Sequence, residues 1–197
     1  MSYSQNNEEQ LLLEYFGDRK GRLLDIGAYD GKELSNSLAL IERGWGGVLV
    51  EPSPTKFLDL AKLHHGRDNI TLINGAVSDR VAFVPFHFNH YWASTITDSP
   101  YYSGNKDHPF KHIYAVQTID VANIMIQWGP FDFVNIDAEG EDMRIAKAIA
   151  DICHDGSIKA MCVEWGSRDR EEWLGILKDI GLGRFEFNGE NIIGFEQ

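Results

Sequence analysis

Residues 22–31 read Arg22-Leu-Leu-Asp-Ile26-Gly27-Ala-Tyr-Asp-Gly31, a short apolar run that stops at a glycine. Glycine lets a backbone turn sharply and lets another group approach it closely. The pattern predicts a strand entering a tight turn ahead of a helix. Beyond the turn, Leu34, Leu38 and Ile41 stand at helical spacing and predict a helix over 33–43. Next comes a second apolar strand, Gly47-Val-Leu-Val50, ending in Glu51-Pro52. Ser53 then sits where a helix cap belongs, ahead of a helix running to about His64.

The alternation continues along the chain. Strands are expected at 69–73, 81–88, 131–136 and 159–163, with helices at 141–152 and 170–180 and a short leading helix at 8–16. Two final runs, 184–188 and 191–195, flank Gly189-Glu190 and read as a hairpin. Strands alternating with helices of this length imply βαβ units and a mostly parallel sheet covered on both faces. The expected fold is therefore an α/β sandwich whose last strands form an antiparallel hairpin. In such sheets a ligand lies beyond the carboxyl ends of the strands, where the strand order switches.

The chain has 197 residues and a formal net charge of -12. That length suits one domain over 1–197, with 1–19 as a leading segment. The acidic balance argues against broad contact with nucleic acid or with an anionic membrane surface. Cys153 and Cys162 form no CxxC pair, and residues 1–10 carry no apolar signal core. These features lead to the expectation of a cytoplasmic protein.

Function rests on what stands at the strand ends. A dinucleotide fingerprint begun at Gly27 would need glycine where Tyr29 and Lys32 stand, and Gly31-Lys32 is followed by Glu33 rather than the Ser or Thr of a phosphate-binding loop. What remains is an acid, Asp25, with glycines two and six residues on, the first motif of methyltransferases that use S-adenosylmethionine. Glu51, 24 residues after Gly27, is placed to accept hydrogen bonds from both ribose hydroxyls of an adenosine-like ligand. The third strand runs into Asn74-Gly75-Ala76-Val77-Ser78-Asp79, whose small side chains leave room for a flat ring beside Ala76 and Val77. The fourth ends in Asn135-Ile-Asp137-Ala-Glu139-Gly-Glu141. Asp25, Asp30, Glu51 and Asp137 around one crevice would repel a pyrophosphate and suit a cofactor carrying a sulfonium and an ammonium.

Taken together, five stretches resemble the FkbM-type methyltransferases. They are Leu24-Asp-Ile-Gly-Ala-Tyr-Asp-Gly31, Val50-Glu-Pro-Ser-Pro54, Gly75-Ala-Val-Ser-Asp79, Val116-Gln-Thr-Ile-Asp120 and Asn135-Ile-Asp-Ala-Glu-Gly-Glu141. The resemblance implies a Rossmann-like methyltransferase sandwich with a mostly parallel seven-stranded sheet. It implies S-adenosylmethionine as donor, and a hydroxyl on a sugar or small natural product as acceptor. It also implies cofactor contacts at Asp25, Gly27, Glu51 and Asp137. With the neighbouring motif residues, the expected cofactor site is Asp25, Gly27, Ala28, Tyr29, Gly31, Glu51, Pro52, Ser53, Gly75, Ala76, Val77 and Asp137. One departure is Tyr29, where the family more often has asparagine.

A hydroxyl acceptor must lose its proton. The candidate bases are Asp137, Glu139, Glu164 and His90, with Glu139 and His90 favoured. His108 and His112 have the spacing of helix metal ligands, but Pro109 lies between them and no third ligand is evident. Residues 89–115 carry Tyr91, Trp92, Tyr101, Tyr102, Phe110 and Tyr114 and read as a long acceptor-side loop. Three rivals stand beside this reading. One is metal assistance through Asp137 with Glu139 or Glu164. The others are a non-catalytic cofactor-binding protein and an NAD-dependent enzyme. The sequence does not speak to oligomeric state.

Overall fold

Alternation of side chains along the strands organises the molecule. In β1 (Arg22–Ile26), Leu24 and Ile26 enter one apolar cluster while Leu23 enters another on the opposite face. Successive strand residues point to opposite faces, so a strand apolar throughout must be covered on both sides. The computed structural model describes residues 3–88, 93–94, 112–153, 156–165 and 170–197. His90 and most of the aromatic stretch expected as an acceptor-side loop lie outside the described residues.

Helix α1 (Glu8–Phe16) precedes β1, and α2 (Leu38–Glu42), β2 (Gly46–Glu51), α3 (Pro54–Leu63) and β3 (Ile70–Asn74) follow it. Next come β4 (Ala76–Ser78), β5 (Phe83–Phe88), β6 (Ala93–Ser94), β7 (His112–Asp120) and α4 (Val121–Trp128). The chain continues through β8 (Phe133–Ile136), α5 (Asp142–Ala150), β9 (Ala160–Glu164) and α6 (Arg170–Asp179), then β10 (Leu182–Asn188) and β11 (Asn191–Glu196).

Seven strands form the main sheet in the order β10-β11-β9-β8-β1-β2-β3. Only β11 runs against the rest, antiparallel to both β9 and β10. This is the α/β sandwich expected from the sequence, and its order reverses between β1 and β8. Above one face, Ile124, Ile145, Ile149, Trp173 and Leu177 cover Leu24, Val48, Val134 and Met161. On the other, Leu12, Phe16, Leu40, Ile41 and Leu60 cover Leu23, Leu49, Phe133 and Ile193. Among the described residues, no helix is long and apolar enough to cross a membrane.

Three expectations need correction. The helix expected over 33–43 is helical only at Leu38–Glu42. Asp30 Oδ1 accepts the N–H groups of Lys32 (2.9 Å) and Glu33 (2.8 Å), and Ser35 Oγ accepts that of Leu38 (3.0 Å). Side chains that bond nearby backbone groups compete with helix, and Leu34, placed on the apolar stripe by its spacing, is exposed with φ 57°. Second, residues 112–115, read as the end of an irregular loop, begin β7. That strand pairs antiparallel with β5 and parallel with β4 in a second, four-stranded sheet of order β4-β7-β5-β6. Third, α4 was not expected at all, because Val121 to Trp128 is apolar around most of its circumference and lacks a clear polar stripe. Asp120 caps it, its side chain accepting the N–H of Ala122 at 2.9 Å.

Candidate active site

The carboxyl ends of β1, β2 and β8 surround a cavity of about 370 Å³, within the usual size range of small-molecule sites. At β1 the turn is fixed by backbone bonds. Gly27 and Ala28 N–H groups both donate to the Val50 carbonyl at 3.0 Å, and Asp137 N–H donates to the Ile26 carbonyl at 2.9 Å. Gly27 has φ 84°, and a Cβ there would overlap the carbonyl oxygen of Asp137. The glycine therefore permits the close approach of β1 to β8 at the switch point.

Glu51, the last residue of β2, is buried to 4 % exposure. Its Oε2 accepts the Tyr29 N–H at 2.8 Å and its Oε1 the Ser53 N–H at 2.7 Å. Burial pushes its carboxyl up to about 7; the two N–H donors oppose that rise, the Asp25 carboxylate adds to it and Lys56 lowers it. Each oxygen has further acceptor capacity, which suits a vicinal diol. Tyr29 adopts φ 52°, a left-handed conformation that asparagine tolerates better than most side chains. The Lys56 ammonium stands 3.7 Å from the Tyr29 ring centroid. Ser53 holds the helix N-cap position through its carbonyl, which accepts the Phe57 N–H at 2.8 Å, while its hydroxyl pairs with Thr55.

Pro52, Ser53, Gly75, Ala76, Val77 and Phe86 complete this end of the cavity. Gly31 does not line it. That residue packs against α3, where a Cβ would lie 2.6 Å from Leu60 Cδ1 and 3.1 Å from His64 Nε2.

The opposite end is acidic. Asp137, Glu139, Glu164 and Glu190 line it. Glu139 has φ 50°, and its carboxyl is pushed up to about 8 by burial and then by Glu164, Asp142 and Glu190. Asp137 is exposed, and it lines the cavity; desolvation by the protein packed around its carboxyl, then the charge of Glu139 and Glu164, raises it well above the usual carboxylate range. Asp142 folds back to accept the N–H groups of Ala138 (2.8 Å) and Gly140 (2.9 Å). Carboxylate oxygens of Asp137, Asp142 and Glu164 lie within 4.8 Å of one another. Glu141 turns away, accepting from Ser78 Oγ at 2.9 Å.

Asp25 borders the cavity, yet both of its oxygens are engaged internally. The Ser37 hydroxyl donates to Oδ2, and Asn135 Nδ2 donates to Oδ1 at 2.8 Å. Burial raises its carboxyl despite these donors. Its position is that of a support for the turn.

Several lining residues carried no sequence signal: Gln5, Ser35, Asn36, Lys56, Phe86 and Asn191. The segment around Gln5 is tied to the β10–β11 hairpin. Asn188 Nδ2 donates to the Asn6 carbonyl and Asn191 Nδ2 donates to buried Glu8 at 2.8 Å. The hairpin turn is held in its place by Trp165, whose backbone N–H donates to the Glu190 carbonyl at 2.9 Å and whose indole N–H donates to the Gly189 carbonyl at 3.2 Å.

This strand order and a ligand cavity at its switch point define the Rossmann-like methyltransferase class. The fold is similar to that of an FkbM methyltransferase from Methylobacillus flagellatus KT, with TM-score 0.59 and 12% identity over 89% of this chain and 43% of that one. The present chain thus spans less than half of that relative's length. It is also similar to the METTL16 methyltransferase domain, with TM-score 0.52, 13% identity and coverage of 96% and 66%. A precorrin-6y methyltransferase from Geobacter metallireducens GS-15 gives TM-score 0.50, 12% identity and coverage of 95% and 87%. No curated protein matches the sequence. The methyltransferase FkbM domain model matches residues 25–181. The chain belongs to the methyltransferase FkbM family.

Proposed function

We propose that the cavity binds S-adenosylmethionine and that the chain methylates a hydroxyl group on a sugar or small natural product. The observation that carries this reading is Glu51, a buried carboxylate held by two backbone N–H groups at one end of a cavity whose other end is acidic. The donor set fits the cofactor. Glu51 receives the ribose diol, the small residues Gly75, Ala76 and Val77 lie beside the adenine, and the acidic end favours a cation over a pyrophosphate.

When bound, the cofactor supplies a methyl group already activated by its sulfonium. The chain's task is then largely positioning, which contributes effective molarities on the order of 10⁵ M or more in well-oriented systems. Glu139 is assigned as the base. It would accept the proton of the acceptor hydroxyl, a role worth about 10²–10⁴-fold. A carboxyl near 8 is poised for this, since it is a stronger base than an ordinary glutamate. Asp137 lines the same end, where the positive charge of a bound cofactor would favour its ionised form. Residues 1–197 act as one domain in this reading, and the setting is the cytoplasm, in keeping with two cysteines that form no disulfide.

A second reading has its own observation. The grouping of Asp137, Asp142 and Glu164 suits a hard divalent ion that would draw the acceptor oxygens in. Of the two partners expected from sequence for Asp137, Glu139 or Glu164, the grouping contains Glu164, and it adds Asp142.

Calorimetric titration with S-adenosylhomocysteine and with NAD tests the cofactor: micromolar binding of the first and none of the second is expected. Turnover on a panel of hydroxylated acceptors, with and without chelator, then separates the remaining readings. Binding without turnover on any acceptor would favour a non-catalytic role, and loss of turnover in chelator would favour the metal.

A further inference from the structure

Beneath the cavity floor, a directional chain of hydrogen bonds starts at Asp25. A carboxylate can only accept, so Asn135 must present its Nδ2 to Asp25 Oδ1, as it does at 2.8 Å. The Asn135 Oδ1 then faces away and accepts from Asn36 Nδ2 at 3.1 Å. That amide nitrogen also reaches Cys162 Sγ at 3.6 Å. The polarity imposed by Asp25 leaves one atom over: Asn36 Oδ1, an acceptor with no hydrogen-bond partner among the described residues. Asn36 is 7 % exposed and lines the cavity. The oxygen is not sealed off with the fully buried atoms but opens to the cavity, where a ligand N–H can take the place of water.

Its position narrows the ligand group. Asn36 is bonded to residues of β8 and β9, on the side of the switch point away from Glu51. If adenosine occupies the Glu51 end, this side receives the amino-acid end of the cofactor, which carries a protonated amine. The nearby acids favour the same group. Among the described lining residues, the sole lysine or arginine is Lys56, at the Glu51 end.

Resting on the cofactor reading above, we infer that Asn36, oriented by the Asp25–Asn135 pair, accepts a hydrogen bond from the α-ammonium of the bound cofactor. Asn36 is then a binding residue, and Asn135 a positioning residue that fixes which end of the Asn36 amide faces the ligand.

Calorimetry on the full chain tests this with S-adenosylhomocysteine and with its deaminated analogue, in which hydrogen replaces the amine. The wild-type protein should prefer the amine-bearing ligand by about tenfold or more, the size of one charge-assisted hydrogen bond. In Asn36→Ala that preference should fall to about threefold or less, with affinity for the deaminated analogue little changed. The unchanged affinity also shows that the cavity is intact. Asn36→Ser, which keeps a hydroxyl donor for Asn135 but withdraws the oxygen from the cavity, should behave in the same way and serves if the alanine variant does not fold. A wild-type preference that persists in these variants overturns the inference, as does a wild-type protein that binds both ligands equally. A wild-type protein that binds neither overturns the cofactor reading itself.

Discussion

Tyr29 and Glu51 stand 22 positions apart in sequence and are joined by a single hydrogen bond of 2.8 Å, from the Tyr29 backbone N–H to the Glu51 carboxylate. This bond ties the turn after β1 to the end of β2 and fixes the carboxylate that faces the cavity. Replacement by Glu51→Ala removes the ligand acceptor and strands two backbone donors. Affinity for S-adenosylhomocysteine should fall at least about tenfold, roughly 1.4 kcal/mol, measured by calorimetry.

The cavity's acids make stability depend on pH in an unusual direction. Glu51 and Glu139 titrate at about 7 and about 8 when folded, against 4.5 for an ordinary glutamate. Between those values the folded protein holds protons that the unfolded chain has released, so stability must fall as pH rises through this window. The ligand-free protein should melt at least about 3 °C lower at pH 9 than at pH 6. Glu139→Gln should flatten the upper part of that profile. A melting temperature that rises over the same range would contradict the placement of these groups.

Gly27→Ala should be far more damaging than a typical surface change. The added methyl would meet the Asp137 carbonyl, and φ 84° is unfavourable for alanine. Overlap with backbone cannot be relieved by a rotamer change. The loss should exceed about 3 kcal/mol, visible as a drop of roughly 6 °C or more in the melting temperature.

His64 offers the opposite case. It is 3 % exposed, and neither ring nitrogen has a hydrogen-bond partner among the described residues. Burial, then Arg67, lowers its titration to about 4 from 6.5. The unfolded chain takes up this proton first, so the histidine withdraws stability as pH falls from 6.5 toward 4. His64→Leu should stabilise the protein by about 1 kcal/mol near neutrality, and by more at pH 5. Thermal melts of the two proteins at both pH values compare the effects directly.

The parts of the fold legible in the sequence were those where one local rule dominated. The apolar runs of β1, β2, β8 and β9 are buried on both faces and announced themselves by composition. Glu51 and Asp137 were legible because each follows directly from such a run. Residues 33–37 misled because Asp30 and Ser35 satisfy backbone groups that a helix would otherwise use. Asn36, Gln5 and Asn191 carried no signal. Their place at the cavity comes from partners on other elements, more than a hundred residues away in the case of Cys162 and Glu8. Asp25 was legible as important from its place before Gly27, whereas its bonds to Ser37 and Asn135 were not.

The bond between Asp25 and Asn135 joins residues separated by 110 positions. A pocket assembled from such distant pairs has no counterpart in any short peptide of this sequence. It forms only when β1 and β8 have met, a non-local step that is slow relative to local helix formation. Recovery of ligand binding during refolding should therefore track completion of the sheet. Conversely, a ligand that binds only the finished pocket draws the entire βαβ scaffold toward the native state by mass action.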